Sequence, residues 1–112
     1  MFKSLKYRRS IALATIVSNW FIVSVMEKEH RIGYVIYGIV EEDERLRFTK
    51  GDYVCTSRIL NIEPKKGLIT TVSGNLYQLS GRGRKEVISS ENFELMRNGL
   101  SPDQIRMLTN SN

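Results

Sequence analysis

Residues 31–41 form the stretch of this sequence that most restricts how the chain folds. Its apolar side chains alternate between two sides: Ile32, Tyr34, Ile36 and Val40 on one, and Val35, Tyr37 and Ile39 on the other. A strand that is apolar on both faces has to be covered on both, so the pattern predicts a central strand. Gly33 and Gly38 interrupt it, and glycines within a strand are typical of bulges or sharp bends.

Shorter strand-like segments lie on both sides of this stretch. Residues 20–25 are aromatic and β-branched and favour a strand, whereas residues 11–18 fit either a strand or a short helix. Further strands, separated by glycine-containing turns, are predicted at 45–48, 53–63, 68–72 and 76–79. The pattern predicts a mainly β (α+β) fold, either a small, strongly bent antiparallel sheet or an SH3/OB-like barrel.

The end of the sequence predicts a helical tail over residues 88–109. Ser89 or Ser90 can cap a first helix that ends at Arg97. Ser101 followed by Pro102 is a typical start for a second helix. The apolar face expected for that second helix consists of Ile105, Met107 and Leu108.

The length of 112 residues predicts one domain, with residues 1–10 as a basic arm and 11–112 as the β-rich body. The basic start and the apolar run 11–26 resemble a signal peptide in outline. No small-residue cleavage site follows that run, and it is too short for a membrane helix. With a single cysteine and hence no intrachain disulfide, we expect a cytoplasmic protein without membrane association.

The residue types that catalysis requires are scarce. His30 is the only histidine and Cys55 the only cysteine, and Cys55 falls within a predicted strand, where a buried structural thiol is expected. The acidic run 41–44 lacks the ligand spacing of a calcium loop and is interpreted as a solvated turn. We therefore predict no enzyme activity, no metal site and no cofactor.

Basic and aromatic residues are the candidates for binding. The net charge is +5, which permits contact with a phosphate chain or an acidic partner. The candidate cations are Lys3, Lys6, Arg8 and Arg9 in the arm and Arg82, Arg84 and Lys85 in the glycine-spaced segment 80–85. The candidate stacking or interface aromatics are Tyr34, Tyr37, Tyr53 and Tyr77. The alternatives are a mobile surface loop for 80–85, core packing for at least half of the tyrosines, and a core role for Trp20.

Several turn and strand motifs recur in a known group of proteins. They are Asn19-Trp20, Gly38, Arg47-Phe48, Gly51-Asp52-Tyr53-Val54, Thr56-Ser57-Arg58-Ile59, Thr71 and Ser73-Gly74-Asn75-Leu76-Tyr77. In these motifs the chain resembles small, mostly uncharacterised proteins encoded by phages and other mobile elements. The resemblance implies a mobile-element origin and, by analogy, a protein that blocks a host enzyme or defence complex.

The sequence is consistent with two alternative functions. The first is a non-enzymatic binding protein that engages a protein target, because strands that are apolar on both faces need a cover that two short helices cannot provide in full. A second copy of the chain, forming a homodimer, is one alternative for that cover. The second function is a DNA- or RNA-binding module that uses the arm and the segment 81–85.

Overall fold

A computed structural model describes residues 14–109, in which seven strands precede two helices. The strands are β1 (Thr15–Glu27), β2 (His30–Asp43), β3 (Tyr53–Cys55), β4 (Ile59–Glu63), β5 (Leu68–Thr71), β6 (Leu76–Leu79) and β7 (Arg84–Ser89). The helices are α1 (Ser90–Arg97) and α2 (Pro102–Thr109). The predicted basic arm 1–10 lies outside the described residues.

The strands form one mixed sheet in the order β3-β2-β1-β6-β5-β4, with β7 also paired to β1. One edge of β1 pairs antiparallel with β2. The other edge pairs in parallel with β6 near the start of β1 and with β7 near its end. The mainly β prediction is confirmed. The sheet is mixed where an antiparallel one was predicted, because the chain crosses over through β3, β4 and β5 before β6 and then β7 pair with β1 in parallel.

The barrel alternative is also wrong. β3 and β4 lie at the two ends of the strand order, and no pairing between them closes the sheet within residues 14–109. The segment predicted as one strand over 53–63 is instead two strands, separated at 56–58. The reason is that β3 pairs with β2 whereas β4 pairs with β5, so the chain has to change neighbours between them.

A bulge in β1 divides the sheet into two halves. Asn19 and Trp20 together lie opposite the single residue Gly38 of β2. Asn19 has a φ of 47°, a left-handed conformation that asparagine tolerates better than most residues. A Cβ atom on Gly38 would lie 3.3 Å from the carbonyl oxygen of Ser18, a tight contact that a larger residue could make only if the neighbouring atoms shifted slightly. The bulge predicted from the glycines is therefore confirmed here.

The extra residue reverses which face of the sheet each β1 side chain occupies. Before the bulge Val17 packs with Val40, and after it Phe21 packs with Tyr37 on the opposite face. One core cluster consists of Val17, Ile36, Val40, Val54, Ile69 and Tyr77. The other consists of Phe21, Val23, Val25, Val35, Tyr37, Ile88, Met96 and Ile105.

Both predicted helices form, and both lie on one face of the sheet. The Ser89 hydroxyl accepts a hydrogen bond from the backbone N–H of Asn92 at 3.1 Å, which caps α1. Met96 of α1 and Ile105 of α2 are buried in the same core cluster. Met107 and Leu108 are exposed, so the predicted apolar face of α2 is right only at Ile105. Neither helix is long and apolar enough to cross a membrane.

Asp43 ends β2 and organises the loop that follows. Its carboxylate accepts backbone N–H bonds from Arg47 at 2.8 Å, Phe48 at 3.0 Å and Arg45 at 3.3 Å, and the Thr15 hydroxyl at 3.2 Å. The prediction of a solvated acidic turn at 41–44 is therefore wrong for Asp43, which is buried at the end of a strand. The strand predicted at 45–48 does not form, because these backbone N–H groups turn inward to the carboxylate.

Burial by itself raises the pKa of Asp43, but the hydrogen bonds from Phe48, Arg45, Arg47 and Thr15 outweigh it, and the net pKa is lowered. A carboxyl group whose pKa is lower in the folded than in the unfolded state stabilises the fold at neutral pH. That contribution is lost as the pH falls through the folded-state pKa, because the unfolded chain binds the proton more tightly than the folded chain does.

We expect Asp43→Asn to lower the free energy of unfolding at pH 7 by about 1–3 kcal/mol, since a buried charged side chain that accepts several hydrogen bonds is lost. Urea denaturation of both proteins between neutral pH and a pH of about 3 measures this. The difference in the free energy of unfolding between the two proteins should become smaller as the pH falls below about 4. Glu44→Gln, at an exposed neighbour, is the control. A difference that stays constant over this pH range would contradict the account.

Candidate binding surfaces

The structure separates the candidate residues onto two surfaces. Arg82, Arg84 and Tyr53 line a groove on the helix-bearing face, whereas Lys85 and Tyr34 lie on the opposite face. Arg84 and Lys85 are neighbours in β7, and successive side chains of a strand point to opposite sides. The cations of the segment 81–85 therefore do not form one continuous phosphate site. The candidate cations Lys3, Lys6, Arg8 and Arg9 lie outside the described residues.

We call the first surface the Trp20 groove. Its volume is about 800 Å³. The residues that define it are Trp20, Phe21, Tyr53, Arg82, Arg84 and Asp103. The groove lies between the bulge in β1, the segment that joins β6 to β7, and the start of α2.

The segment 80–83 is a support for Trp20. The indole Nε1–H donates to the carbonyl oxygen of Gly81 at 3.3 Å. A Cβ atom on Gly83 would lie only 2.1 Å from Cδ2 of Trp20, so the ring packs directly on the glycine backbone. The backbone N–H of Ser80 donates to the carbonyl of Val17 at 2.8 Å and continues the pairing with β1. The sequence predicted that this segment follows the last strand. It instead leads into a further strand, β7.

The charge in the Trp20 groove is partly neutralised. Arg84 forms an ion pair with Asp103, and its guanidinium carbon lies 5.0 Å from the centroid of the Phe21 ring. Arg82 is exposed and forms no ion pair with residues 14–109. A single unpaired cation is a weak basis for following a phosphate chain, for which several are usual.

The four candidate tyrosines have different environments. Tyr37 and Tyr77 are buried in the core, and burial raises the pKa of both phenols. The prediction that these two tyrosines are stacking residues is therefore wrong. The alternative, core packing for at least half of the four, is confirmed. Tyr53 stacks on Tyr37 with ring centroids 5.9 Å apart. Its hydroxyl donates to the carbonyl of Arg97 at 2.9 Å, so one edge of the ring is fixed to the end of α1.

Cys55 is half-buried, and burial raises the pKa of its thiol to about 11. A thiol with this pKa is protonated at neutral pH and is a poor nucleophile. Within residues 14–109, no group of three or more histidine, cysteine, aspartate or glutamate side chains is placed to hold a metal ion.

We call the second surface the concave face. It is a groove of about 660 Å³ on the side of the sheet opposite the core cluster that the helices cover, and Arg106 of α2 also lines it. The residues that define it are Ile22, Ser24, Arg31, Tyr34, Ile62, Lys85 and Val87. Ser24 of β1 pairs with Tyr34 of β2 on one side and with Val87 of β7 on the other, so three strands provide its floor.

The concave face combines exposed apolar side chains with positive charge. Val87 is 71% exposed, and Tyr34 and Ile62 are each 39% exposed. Arg31 lies over the Tyr34 ring, 4.8 Å from its centroid, and donates from Nε to the Ser24 hydroxyl at 2.8 Å. Lys85 adds a second cation.

Glu86 and Arg106 also line the concave face, where they form an ion pair with each other. The face therefore has an uncompensated positive charge from Arg31 and Lys85. Sequence reasoning did not single out Arg31, Ile62 or Val87. β7 was not predicted, because its first three residues, Arg84 to Glu86, are charged and lack the apolar alternation of a strand. Without β7 this surface has no third strand.

Comparisons with protein-family models, with curated proteins and with solved structures find no match to this chain. The role of the two surfaces is therefore argued from their geometry and chemistry.

We expect Gly83→Ala to lower the free energy of unfolding by about 1–3 kcal/mol, because the new methyl group overlaps the Trp20 ring. Urea denaturation followed by circular dichroism measures this without depending on tryptophan emission. In a Trp20→Leu background the same glycine substitution should cost less, since the overlapping ring is gone. An equal cost in both backgrounds would show that the Trp20–Gly83 contact does not hold this segment.

Proposed function

We propose that this chain is a non-enzymatic binding domain that engages a protein partner through the concave face. The observation that carries the proposal is the position of the helices. Both α1 and α2 pack on one face of the sheet, and the opposite face keeps apolar side chains of three strands in contact with solvent within the described part of the chain.

The chemistry of the concave face is that of a protein interface. Tyrosine and arginine are enriched where proteins bind one another, and the Arg31–Tyr34 pair lies at the floor of the groove. Exposed aliphatic side chains at Ile62 and Val87 supply area whose burial favours association. Because Arg31 and Lys85 form no ion pair within the described residues and Glu86 is paired with Arg106, the partner is expected to bring acidic groups.

Nucleic-acid binding is less well supported and stays a prediction. The Trp20 groove brings Arg82 beside Trp20 and Tyr53, but Arg84 is paired with Asp103 and Lys85 lies on the other face. The role suggested by the resemblance to phage-encoded proteins, the inhibition of a host enzyme or defence complex, also stays a prediction.

Affinity capture from an extract of the native host tests the proposal. Immobilised wild-type protein should retain a protein partner that Val87→Asp loses by about tenfold or more, because an unpaired charge is then buried in the interface. Met107→Asp is the matched control, at a residue that is 74% exposed on α2. Retention should survive nuclease digestion of the extract.

Two results would overturn the proposal. Loss of the retained material on nuclease treatment would indicate nucleic acid as the ligand. Equal retention by wild type and Val87→Asp would place the binding surface elsewhere.

A further inference from the structure

We infer that the outer edge of β7 is a strand-addition site, which takes an extended segment of the partner with an acidic residue beside Lys85 and an apolar residue beside Val87. This inference rests on the proposed function and adds to it how the partner is recognised.

β7 has a regular edge that no other strand of residues 14–109 covers. It pairs with β1 from Phe21 to Met26 without a register shift, and it pairs with no other strand among residues 14–109. Its six residues include no proline and no bulge, two of the devices that block an edge to any added strand. An edge of this kind leaves backbone N–H and C=O groups free to pair with another extended chain.

A depression lies on each side of the same edge. On the concave face it is the groove of about 660 Å³ that includes Lys85 and Val87. On the helix side it is a smaller groove of about 270 Å³, which Asn92, Pro102 and Arg106 line together with β7. The side chains of an added strand alternate between the two faces, so both sets have space.

The charges of β7 decide which residues the added strand requires. Arg84 is paired with Asp103 and Glu86 with Arg106, so neither of these charges of β7 requires a partner from the added strand. On the concave side Lys85 forms no ion pair within the described residues, and Val87 lies two positions further along the strand. Cross-strand neighbours prefer opposite charge and apolar contact. The expected motif is therefore acidic-x-apolar.

The charges favour a foreign acidic segment over a second copy of this chain. A second β7 edge would bring its own Arg84 and Lys85, on a protein whose net charge is +5. Cations on an edge strand are typical of edges that avoid pairing with themselves. The same cations attract an acidic strand.

Selection from a library of random peptides, each of about ten residues, tests the inference on the full-length protein. We expect enriched peptides to share the acidic-x-apolar motif. Lys85→Glu should weaken such a peptide by about tenfold, and exchanging its acidic residue for lysine should restore binding to that variant. Lys50→Glu, at an exposed cation outside both grooves, is the control and should leave affinity unchanged.

Backbone methylation separates strand addition from docking of side chains alone. Of two versions of the peptide, N-methylated on its odd or on its even residues, one should lose binding and the other keep it, since only alternate N–H groups face β7. Equal effects of both versions, or no enriched motif, would overturn strand addition. The proposed function would then still stand if the captured protein partner depended on Val87.

Discussion

The indole of Trp20 lies on the backbone of Gly83, at the point where β1 changes its parallel neighbour from β6 to β7. β1 has thirteen residues and two successive parallel neighbours, β6 and then β7. Between those neighbours the chain leaves β1 at Ser80 and returns at Arg84, and Trp20 occupies the space that this excursion encloses. The bulge at Asn19 and Trp20 turns the ring toward it. Without the bulge, β1 would keep one face inward along its whole length.

The reversal of faces explains why this small chain has two core clusters and one uncovered surface. Val17 contributes to the cluster below the bulge, and Phe21, Val23 and Val25 contribute to the cluster above it, on the other side. The helices follow β7 directly and cover only the core cluster that contains Phe21. The concave face beside Tyr34 and Val87 is what remains, and an exposed apolar surface with a cationic rim is a costly feature for a protein that has no use for it.

Much of the fold was predictable from the residues because local chemistry decided it. The glycine at 38, the Ser89 cap and the Ser101-Pro102 helix start act over a few residues, and each has the predicted effect. The errors have long-range causes. Asp43 accepts a hydrogen bond from Thr15, which is distant in sequence, and its bonds to the loop prevent the strand at 45–48. β7 forms in a charged stretch because it pairs with the free edge of β1.

The candidate site was less predictable than the fold for the same reason. Tyr34 and Lys85 were singled out, but their neighbours Ile62 and Val87 join them only through the pairing of strands distant in sequence. Composition indicated that cations mattered, but it could not indicate that Arg84 would pair with Asp103 while Lys85 would not. Alternation along a strand assigns the two to different surfaces once the register is known.

Site-specific photo-crosslinking in the organism that encodes this chain tests the central claim most directly. A benzoylphenylalanine side chain at Tyr34 places the reactive group on the concave face, and the same side chain at Met107 places it on the exposed surface of α2. The account predicts a covalent adduct with a single protein from position 34 and none from position 107. No adduct from position 34, or the same adducts from both positions, would contradict the assignment of the concave face as the binding surface.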